Sequence, residues 1–213
     1  MTACSELSAI YAANSCGYTR DGWRELHART GYTLGNVPPA DFAFARLADC
    51  APEAASFAAR AAEGRAPGLL VTGRAGRGKT YTACAVARSV AEERSVGICT
   101  DAELVREAKA AFGSPWRTEA QVVERFCAPY LLVLDDFGKA AYSSDWALQL
   151  VFEVIDRRIR GRRPLVVTTQ YDAAGLIGKL TVGGDGATAE AIVSRMQPFD
   201  LLRVEGEDRR AGR

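Results

Sequence analysis

Apolar residues follow two alternating patterns from residue 68 onwards. Five short runs are almost continuously apolar, and we predict that they are buried strands over residues 68–72, 96–100, 130–134, 164–169 and 200–204. Between these runs, apolar residues recur every three or four positions, as they do on one face of a helix. Fully apolar strands separated by helices are typical of a parallel sheet covered on both faces. The pattern therefore predicts an α/β fold with a five-stranded parallel sheet sandwiched by helices.

Helix boundaries are marked by residues that start or stop a helical turn. A proline in the first turn predicts a helix over residues 52–63, and a second helix is predicted over 81–93. A long amphipathic helix is expected to be capped by Ser144 and ended by Gly161. A short helix over 191–196 precedes the last strand. Each predicted strand is thus followed or preceded by a helix that can cover the sheet.

Two further helices begin with a capping box, in which a threonine and a residue three positions later satisfy each other's backbone N–H groups. These pairs are Thr100 with Glu103 and Thr118 with Gln121. The helix after Thr100 carries an apolar stripe that ends at Phe112. Because a stripe of this kind faces the protein interior, we expect Phe112 to pack in the core.

Residues 1–36 precede this alternation and are predicted to form a separate helical extension. Glycine, asparagine and proline are concentrated over 31–39, which is typical of a linker. We therefore predict two parts: an extension over 1–36 that docks a partner, and a core domain over 37–213.

The loop after the first predicted strand carries the most specific motif of the chain. Residues 73–80 read GRAGRGKT and match the phosphate-binding pattern G-x-x-x-x-G-K-T between a strand and a helix. Its glycines allow successive N–H groups to point at phosphate oxygens, and the helix start favours negative charge. The residues predicted to bind ATP are Gly73, Arg74, Ala75, Gly76, Arg77, Gly78, Lys79, Thr80 and Tyr81. Lys79 is expected to neutralise the β- and γ-phosphates, and the Thr80 hydroxyl to hold Mg²⁺.

Polar residues end two other predicted strands at what would be the same sheet edge. Asp135 and Asp136 follow the apolar run over 130–134, and Gln170 follows the run over 164–169. Asp135 would orient the Mg²⁺ ligands, and Asp136 would polarise the attacking water as a base. The Gln170 amide could reach the γ-phosphate or that water. Aspartates that cap a helix, or a strand that simply ends in polar residues, would give the same pattern.

Charge and composition limit the possible partners. The net charge is +1, so a nucleic-acid site has to come from local clustering of basic residues. Such a cluster is predicted to bind single-stranded DNA through phosphate contacts and base stacking, and it consists of Arg106, Lys109, Trp116 and Arg117.

The same composition argues against a membrane or an oxidising compartment. No segment approaches the roughly 20 apolar residues that cross a bilayer, and the N-terminus lacks the features of a secretory signal. The six cysteines form no C-x-x-C pair, which is typical of a reducing environment. We therefore expect a cytoplasmic protein without a membrane partner.

With these segments in order, residues 37–213 resemble the AAA+ ATPases, and among them the DnaC/DnaI-type helicase loader and IstB-like family. The resemblance rests on GRAGRGKT at 73–80, LLVLDDFG at 131–138, FEVIDRR at 152–158, RPLVVTTQ at 163–170 and SRM at 194–196. It implies that Thr80 and Asp135 hold Mg²⁺. The catalytic residues that it implies are Lys79, the acidic Asp136, Gln170 as the sensor of the γ-phosphate, and Arg195. Arg195 would complete the site of a neighbouring subunit in trans, which implies self-association into a ring or spiral.

Two departures from the family pattern predict slow turnover. Asp136 stands where glutamate is usual, and Gln170 stands where asparagine is common. We also expect no helical lid domain after the last predicted strand. The function that we predict is an ATP-dependent loader that binds single-stranded DNA and delivers or opens a replicative DNA helicase. The alternatives are an IstB-like transposition helper that binds duplex DNA and a transposase, a small-molecule kinase, and a nucleotide-binding scaffold without hydrolysis.

Overall fold

Five parallel strands form the centre of the structure, a computed structural model that describes residues 42, 45–140, 142, 144–181 and 186–206. The strands are β1 (Gly68–Thr72), β2 (Val96–Thr100), β3 (Leu131–Asp135), β4 (Leu165–Thr169) and β5 (Asp200–Arg203). They lie side by side in the order β2-β3-β4-β1-β5. The predicted five-stranded parallel sheet is confirmed, and each strand begins and ends within one residue of its predicted bounds. The predicted extension over 1–36 lies outside the described residues.

Seven helices of the described part of the chain cover the two faces of this sheet. They are α1 (Pro52–Ala62), α2 (Lys79–Val90), α3 (Asp101–Ala111), α4 (Glu119–Cys127), α5 (Asp145–Arg160), α6 (Ala173–Leu180) and α7 (Ala187–Met196). One buried cluster packs α1 and α2 against one face of the sheet. A second cluster packs the five helices α3, α4, α5, α6 and α7 against the other face. Neighbouring residues of a strand point to opposite faces, so continuous apolar strands supply both clusters at once. None of these helices is long and apolar enough to cross a membrane.

Side-chain caps begin several helices, as the sequence suggested. Both predicted capping boxes are present, and the Thr100 hydroxyl accepts from the Glu103 N–H at 3.1 Å. Ser144 occupies the N-cap position of α5, but its side chain makes no capping hydrogen bond. Helix α6 was not predicted because Gly175 and Gly178 weaken the helical pattern. The Asp172 side chain caps this helix, which is held in place by its buried leucines.

The expectation that Phe112 packs in the core is wrong, since its side chain is 58% exposed. Helix α3 ends at Ala111, and the backbone of Phe112 turns to an extended conformation with φ −63° and ψ 124°. The ring therefore leaves the apolar stripe and packs on Trp146, with 4.8 Å between the ring centroids. This places an aromatic ring at the surface next to the loop that carries Trp116.

Candidate nucleotide site

The glycine-rich loop between β1 and α2 has the backbone conformation that a phosphate cradle needs. Three of its glycines have positive φ: Gly73 at 151°, Gly76 at 76° and Gly78 at 93°. Gly78 is the N-cap of α2. Because glycine has no side chain, no capping group occupies the N–H groups at the helix start. Free N–H groups at a helix start are the usual binding site for a phosphate. The loop is therefore suited to hold the phosphates of a nucleotide.

Gly73 cannot be replaced by a larger residue without moving the neighbouring chain. The Val204 N–H donates to the Thr72 carbonyl at 2.8 Å, so the segment after β5 runs along the start of the loop. A Cβ at Gly73 would lie 2.4 Å from the Val204 carbonyl oxygen. Tertiary packing against β5, as well as the turn itself, requires this glycine.

The side chain of Lys79 folds back along the loop that it follows. It is only 6% exposed, and its Nζ donates to the Arg74 carbonyl at 2.9 Å. A buried ammonium group beside a cradle of N–H groups adds a full positive charge to a site that already favours anions. The structure thus places Lys79 in the same loop surface as the residues predicted to contact the phosphates.

A hydroxyl and a carboxylate meet where β3 ends beside α2. The Thr80 Oγ1 lies 3.1 Å from both carboxylate oxygens of Asp135. The Thr168 hydroxyl, at the end of β4, donates to Asp135 Oδ1 at 2.6 Å. Burial raises the pKa of the Asp135 carboxyl, and the hydrogen bond from Thr168 opposes that effect. Oxygen ligands of this kind suit Mg²⁺, so Thr80 and Asp135 fit the predicted metal site.

Thr168 was missed by the sequence reasoning, although it contacts both aspartates. Its hydroxyl donates to Asp135 and accepts from the backbone N–H of Asp136 at 2.8 Å. Two adjacent threonines at the end of an apolar strand were the available signal. Because the carboxyl ends of parallel strands share one edge, a polar residue there meets its counterpart on the next strand.

Asp136 has an unusual backbone and a cationic partner. Its φ is 55°, in the left-handed region that non-glycine residues rarely adopt. Lys139 donates to Asp136 Oδ2 at 2.7 Å, three residues further along the chain. One oxygen of the carboxylate predicted to act as a base is therefore engaged by an ammonium group.

Two predicted catalytic residues make their described contacts away from the glycine-rich loop. Gln170 is exposed, and its amide donates to the Tyr171 hydroxyl at 3.0 Å. Arg195 donates from Nε to Asp156 Oδ1 at 2.5 Å, and its guanidinium lies 4.5 Å from the centre of the Phe152 ring. The structure holds Arg195 against α5 of its own chain.

Arginines surround a cavity of about 320 Å³ between the glycine-rich loop and the end of β5. Its lining includes Arg74 and Arg77 of the loop together with Arg203 of β5. Arg203 was not predicted, because its place beside the loop depends on the pairing of β1 with β5. The excess of cationic side chains makes this cavity suitable for a negatively charged ligand.

Tyr81 links α2 to the segment that precedes α1. Its hydroxyl donates to Asp49 Oδ2 at 2.7 Å, and its ring packs edge-on to Phe42 with 6.3 Å between centroids. Burial and the hydrogen bond to Asp49 raise the pKa of the Tyr81 hydroxyl. This residue of the predicted nucleotide set is thus tied by its side chain to residues 42–49.

The predicted DNA-binding residues lie on and after α3. Trp116 is 89% exposed, and Arg106 and Lys109 are exposed as well. Arg117 instead forms an ion pair with Glu107 at 2.6 Å, and Arg125 contacts the same carboxylate oxygen. The exposed surface therefore consists of Trp116, Lys109 and Arg106, of which Arg106 lies 3.9 Å from a carboxylate oxygen of Glu103, with the exposed Phe112 beside them.

Comparisons with known proteins agree with this geometry. The model of the family described as IstB-like ATP binding protein matches residues 35–212. The replicative helicase loader DnaI of Bacillus subtilis (strain 168) is 27% identical over 153 residues, which is 69% of this chain and 49% of that protein. The chain thus spans about half the length of this curated relative.

Solved structures share the fold. The superposition on a crystal structure of DnaI covers 78% of this chain and 94% of the DnaI chain, with a TM-score of 0.66 and 25% sequence identity. The superposition on the DnaC helicase loader covers 78% of this chain and 100% of the DnaC chain, with a TM-score of 0.64 and 20% sequence identity. The superposition on AMPPCP-bound DnaA from Aquifex aeolicus covers 82% of this chain and 54% of the DnaA chain, with a TM-score of 0.63 and 15% sequence identity. The last two similarities establish the fold alone.

Proposed function

This chain belongs to the family of IstB-like ATP-binding proteins, and on that premise we propose that it is an ATP-dependent helicase loader. It binds ATP with Mg²⁺, assembles on single-stranded DNA, and delivers or opens a replicative DNA helicase. The observation that carries the nucleotide part is the meeting of Thr80, Asp135 and Thr168 beside a glycine loop with three positive φ angles. The similarity to DnaI supports the loader part.

The residues of the loop would hold the nucleotide by complementary charge. The N–H groups of residues 73–80 and the Lys79 ammonium would contact phosphate oxygens, while Thr80 and Asp135 would hold Mg²⁺. The bound ion would offset the charge that develops on the phosphates. Thr168 would keep the Asp135 carboxylate turned towards Thr80, since it donates to one of its oxygens.

Asp136 would accept a proton from the attacking water, which Gln170 would help to orient. Lys139 engages one oxygen of this carboxylate, so the ion pair has to loosen before both oxygens are available. An aspartate also reaches less far than a glutamate. Both features support slow hydrolysis, which suits a switch better than a motor.

Arg195 would act on the nucleotide of a neighbouring subunit. We expect Arg195→Ala to retain ATP binding and to lower ATPase activity by about 10³-fold, the usual effect of removing such an arginine. A mixture of Arg195→Ala with Asp136→Asn should regain activity, because the second variant still supplies an arginine to the intact sites of the first. Phosphate release at a fixed total protein concentration would measure this.

Arg160→Ala is the matched control for Arg195, since Arg160 also pairs with Asp156, at 2.7 Å, but is largely exposed. This variant should keep its ATPase activity. A mixture that stays inactive, although both variants bind ATP and remain folded, would show that Arg195 does not act in trans.

The exposed tryptophan supports a contact with unpaired bases. We expect Trp116→Ala to weaken binding of a single-stranded oligonucleotide by about 1–3 kcal/mol, the range for loss of one stacked base. Fluorescence anisotropy at one fixed salt concentration would measure the affinity. Leu201→Ala is the control, because Leu201 is another exposed apolar residue and lies on β5 at the opposite edge of the sheet from β2. Equal affinities of the two variants would refute the role of Trp116.

The second candidate function is that of an IstB-like transposition helper that binds duplex DNA and a transposase, which the sequence resemblance also implies; the matching family is IstB-like. The same anisotropy experiment separates the two functions. Tighter binding to single-stranded than to duplex DNA, compared at equal salt, supports the loader. The reverse preference, unaffected by Trp116→Ala, supports the transposition helper.

A further inference from the structure

A buried carboxylate joins the start of α3 to the loop that carries Asp136. Asp101 is 1% exposed, and its Oδ2 accepts from the Gly138 N–H at 3.0 Å and from the Tyr142 hydroxyl at 2.7 Å. Its Oδ1 accepts from the Ala102 N–H at 2.8 Å. A buried carboxylate is unfavourable unless such hydrogen bonds compensate for the lost water. Asp101 therefore depends on Gly138 and Tyr142 to remain buried.

The loop over residues 136–140 is fixed to β4 on its other side. The Phe137 N–H donates to the Thr168 carbonyl at 2.8 Å, and the Thr169 hydroxyl donates to the Phe137 carbonyl at 2.9 Å. Gly138 has φ 87°, and a Cβ there would lie 2.8 Å from the Leu176 side chain. The path of this loop, and with it the position of Asp136, is thus set by β4 on one side and by Asp101 on the other.

Helix α3 connects Asp101 to the proposed DNA surface. The helix has 11 residues, so its two ends are about 16 Å apart at 1.5 Å per residue. Its first residue is Asp101, and the chain beyond its last residue leads directly to Phe112 and Trp116. Its apolar side packs in the core between these two ends, through Leu104, Ala108 and Ala111.

We propose that Asp101 and Tyr142 are positioning residues that couple the Trp116 surface to Asp136, an inference that rests on the proposed function. Single-stranded DNA bound at Trp116 shifts α3, and Asp101 passes that shift through Gly138 and Tyr142 to the loop over 136–140. The shift changes the position of Asp136 relative to Lys139, which otherwise engages its carboxylate. Hydrolysis then responds to DNA even though Trp116 makes no contact with the nucleotide.

Tyr142→Phe tests this proposal because it removes one hydroxyl and keeps the ring. We expect ATP affinity, DNA affinity and ATPase activity without DNA to stay within about 2-fold of the parent protein, because the one hydrogen bond lost, although its acceptor is a carboxylate, involves neither the glycine-rich loop nor Trp116. The increase in ATPase activity on adding single-stranded DNA should fall several-fold. Asp101→Asn, which retains one acceptor oxygen, should reduce the same increase.

Tyr130→Phe is the matched control, since the Tyr130 hydroxyl also donates to a single oxygen, the Ala61 carbonyl, on the opposite side of the sheet. It should leave the DNA response intact. A Tyr142→Phe variant that is stimulated like the parent would overturn the coupling, as would an equal loss of activity with and without DNA. A parent protein that binds no DNA would instead overturn the proposed function, and the coupling with it.

Discussion

Replacing Lys79 by alanine is expected to weaken ATP binding by about 10²–10⁴-fold. Two charge-assisted contacts to phosphate oxygens would be lost, and each is worth about 1.5–3 kcal/mol. The N–H groups of the loop would remain, but they carry only partial charges. Calorimetric titration of the folded variant with ATP in the presence of Mg²⁺ would measure the affinity.

Lys79 also supports the loop itself, because its Nζ donates to the Arg74 carbonyl. The thermal unfolding of the variant should therefore be compared with that of the parent before the binding result is interpreted. Lys179→Ala, which removes an exposed lysine from α6, is the control and should bind ATP normally. If Lys79→Ala bound ATP as tightly as this control, the assignment of the glycine-rich loop as the nucleotide site would be wrong.

The second large effect, on stability, is expected from substitution of Arg158, a residue outside the proposed nucleotide and DNA sites. Its side chain is 0% exposed although it carries a full charge. Its two terminal nitrogens lie 2.8–3.3 Å from the backbone carbonyl oxygens of Phe126, Cys127, Pro129, Tyr130 and Pro164. Burial lowers the pKa of Arg158 to about 10, so the guanidinium stays protonated at neutral pH.

We expect Arg158→Met to lower the free energy of unfolding by about 3–5 kcal/mol. Methionine fills part of the volume, but it leaves several buried carbonyl groups without a donor, and each such group costs about 1–3 kcal/mol. The Nε of Arg158 already lacks a partner among the described residues, which limits the loss to the terminal nitrogens. Urea unfolding followed by circular dichroism would measure the change.

Arg157→Met provides the matched control on the adjacent residue. Arg157 is half-exposed and pairs with Glu153 one helical turn earlier, a contact worth about 0.3–0.5 kcal/mol. The expected change is therefore below about 1 kcal/mol. Equal destabilisation by the two substitutions would mean that the buried hydrogen bonds of Arg158 contribute nothing specific.

Arg158 matters for the site because it joins the elements that lead to it. Its acceptors lie at the end of α4, just before β3 and just before β4. Strands β3 and β4 then bring Asp135 and Thr168 to the carboxyl ends of the strands, where the two side chains are hydrogen-bonded. One side chain of α5 thus aligns the starts of the two strands that carry Asp135 and Thr168 at their ends.

Sequence reasoning was most successful where function depends on the position of a residue along a strand. The runs before Gly73, Asp135 and Gln170 predicted strands, and parallel strands bring their carboxyl ends to one edge. Reasoning from periodicity failed at Phe112, where the helix ended one residue earlier than the apolar stripe. It also missed α6, because intrinsic propensity is weak where glycine occurs and core contacts decide the outcome.

The sequence by itself determined the sheet, the glycine-rich loop and the identity of the groups at its edge, because periodicity and local motifs are properties of neighbouring residues. Only the tertiary structure decided that Thr168 holds Asp135, that Lys139 engages Asp136 and that Asp156 holds Arg195. It alone also revealed the buried links of Asp101 and Arg158. Apart from Lys139, Ala102 and Pro164, the partners in these contacts lie 28 or more residues apart in the chain. Contacts between residues so far apart in the chain are set by how helices and strands pack, which no local sequence pattern records.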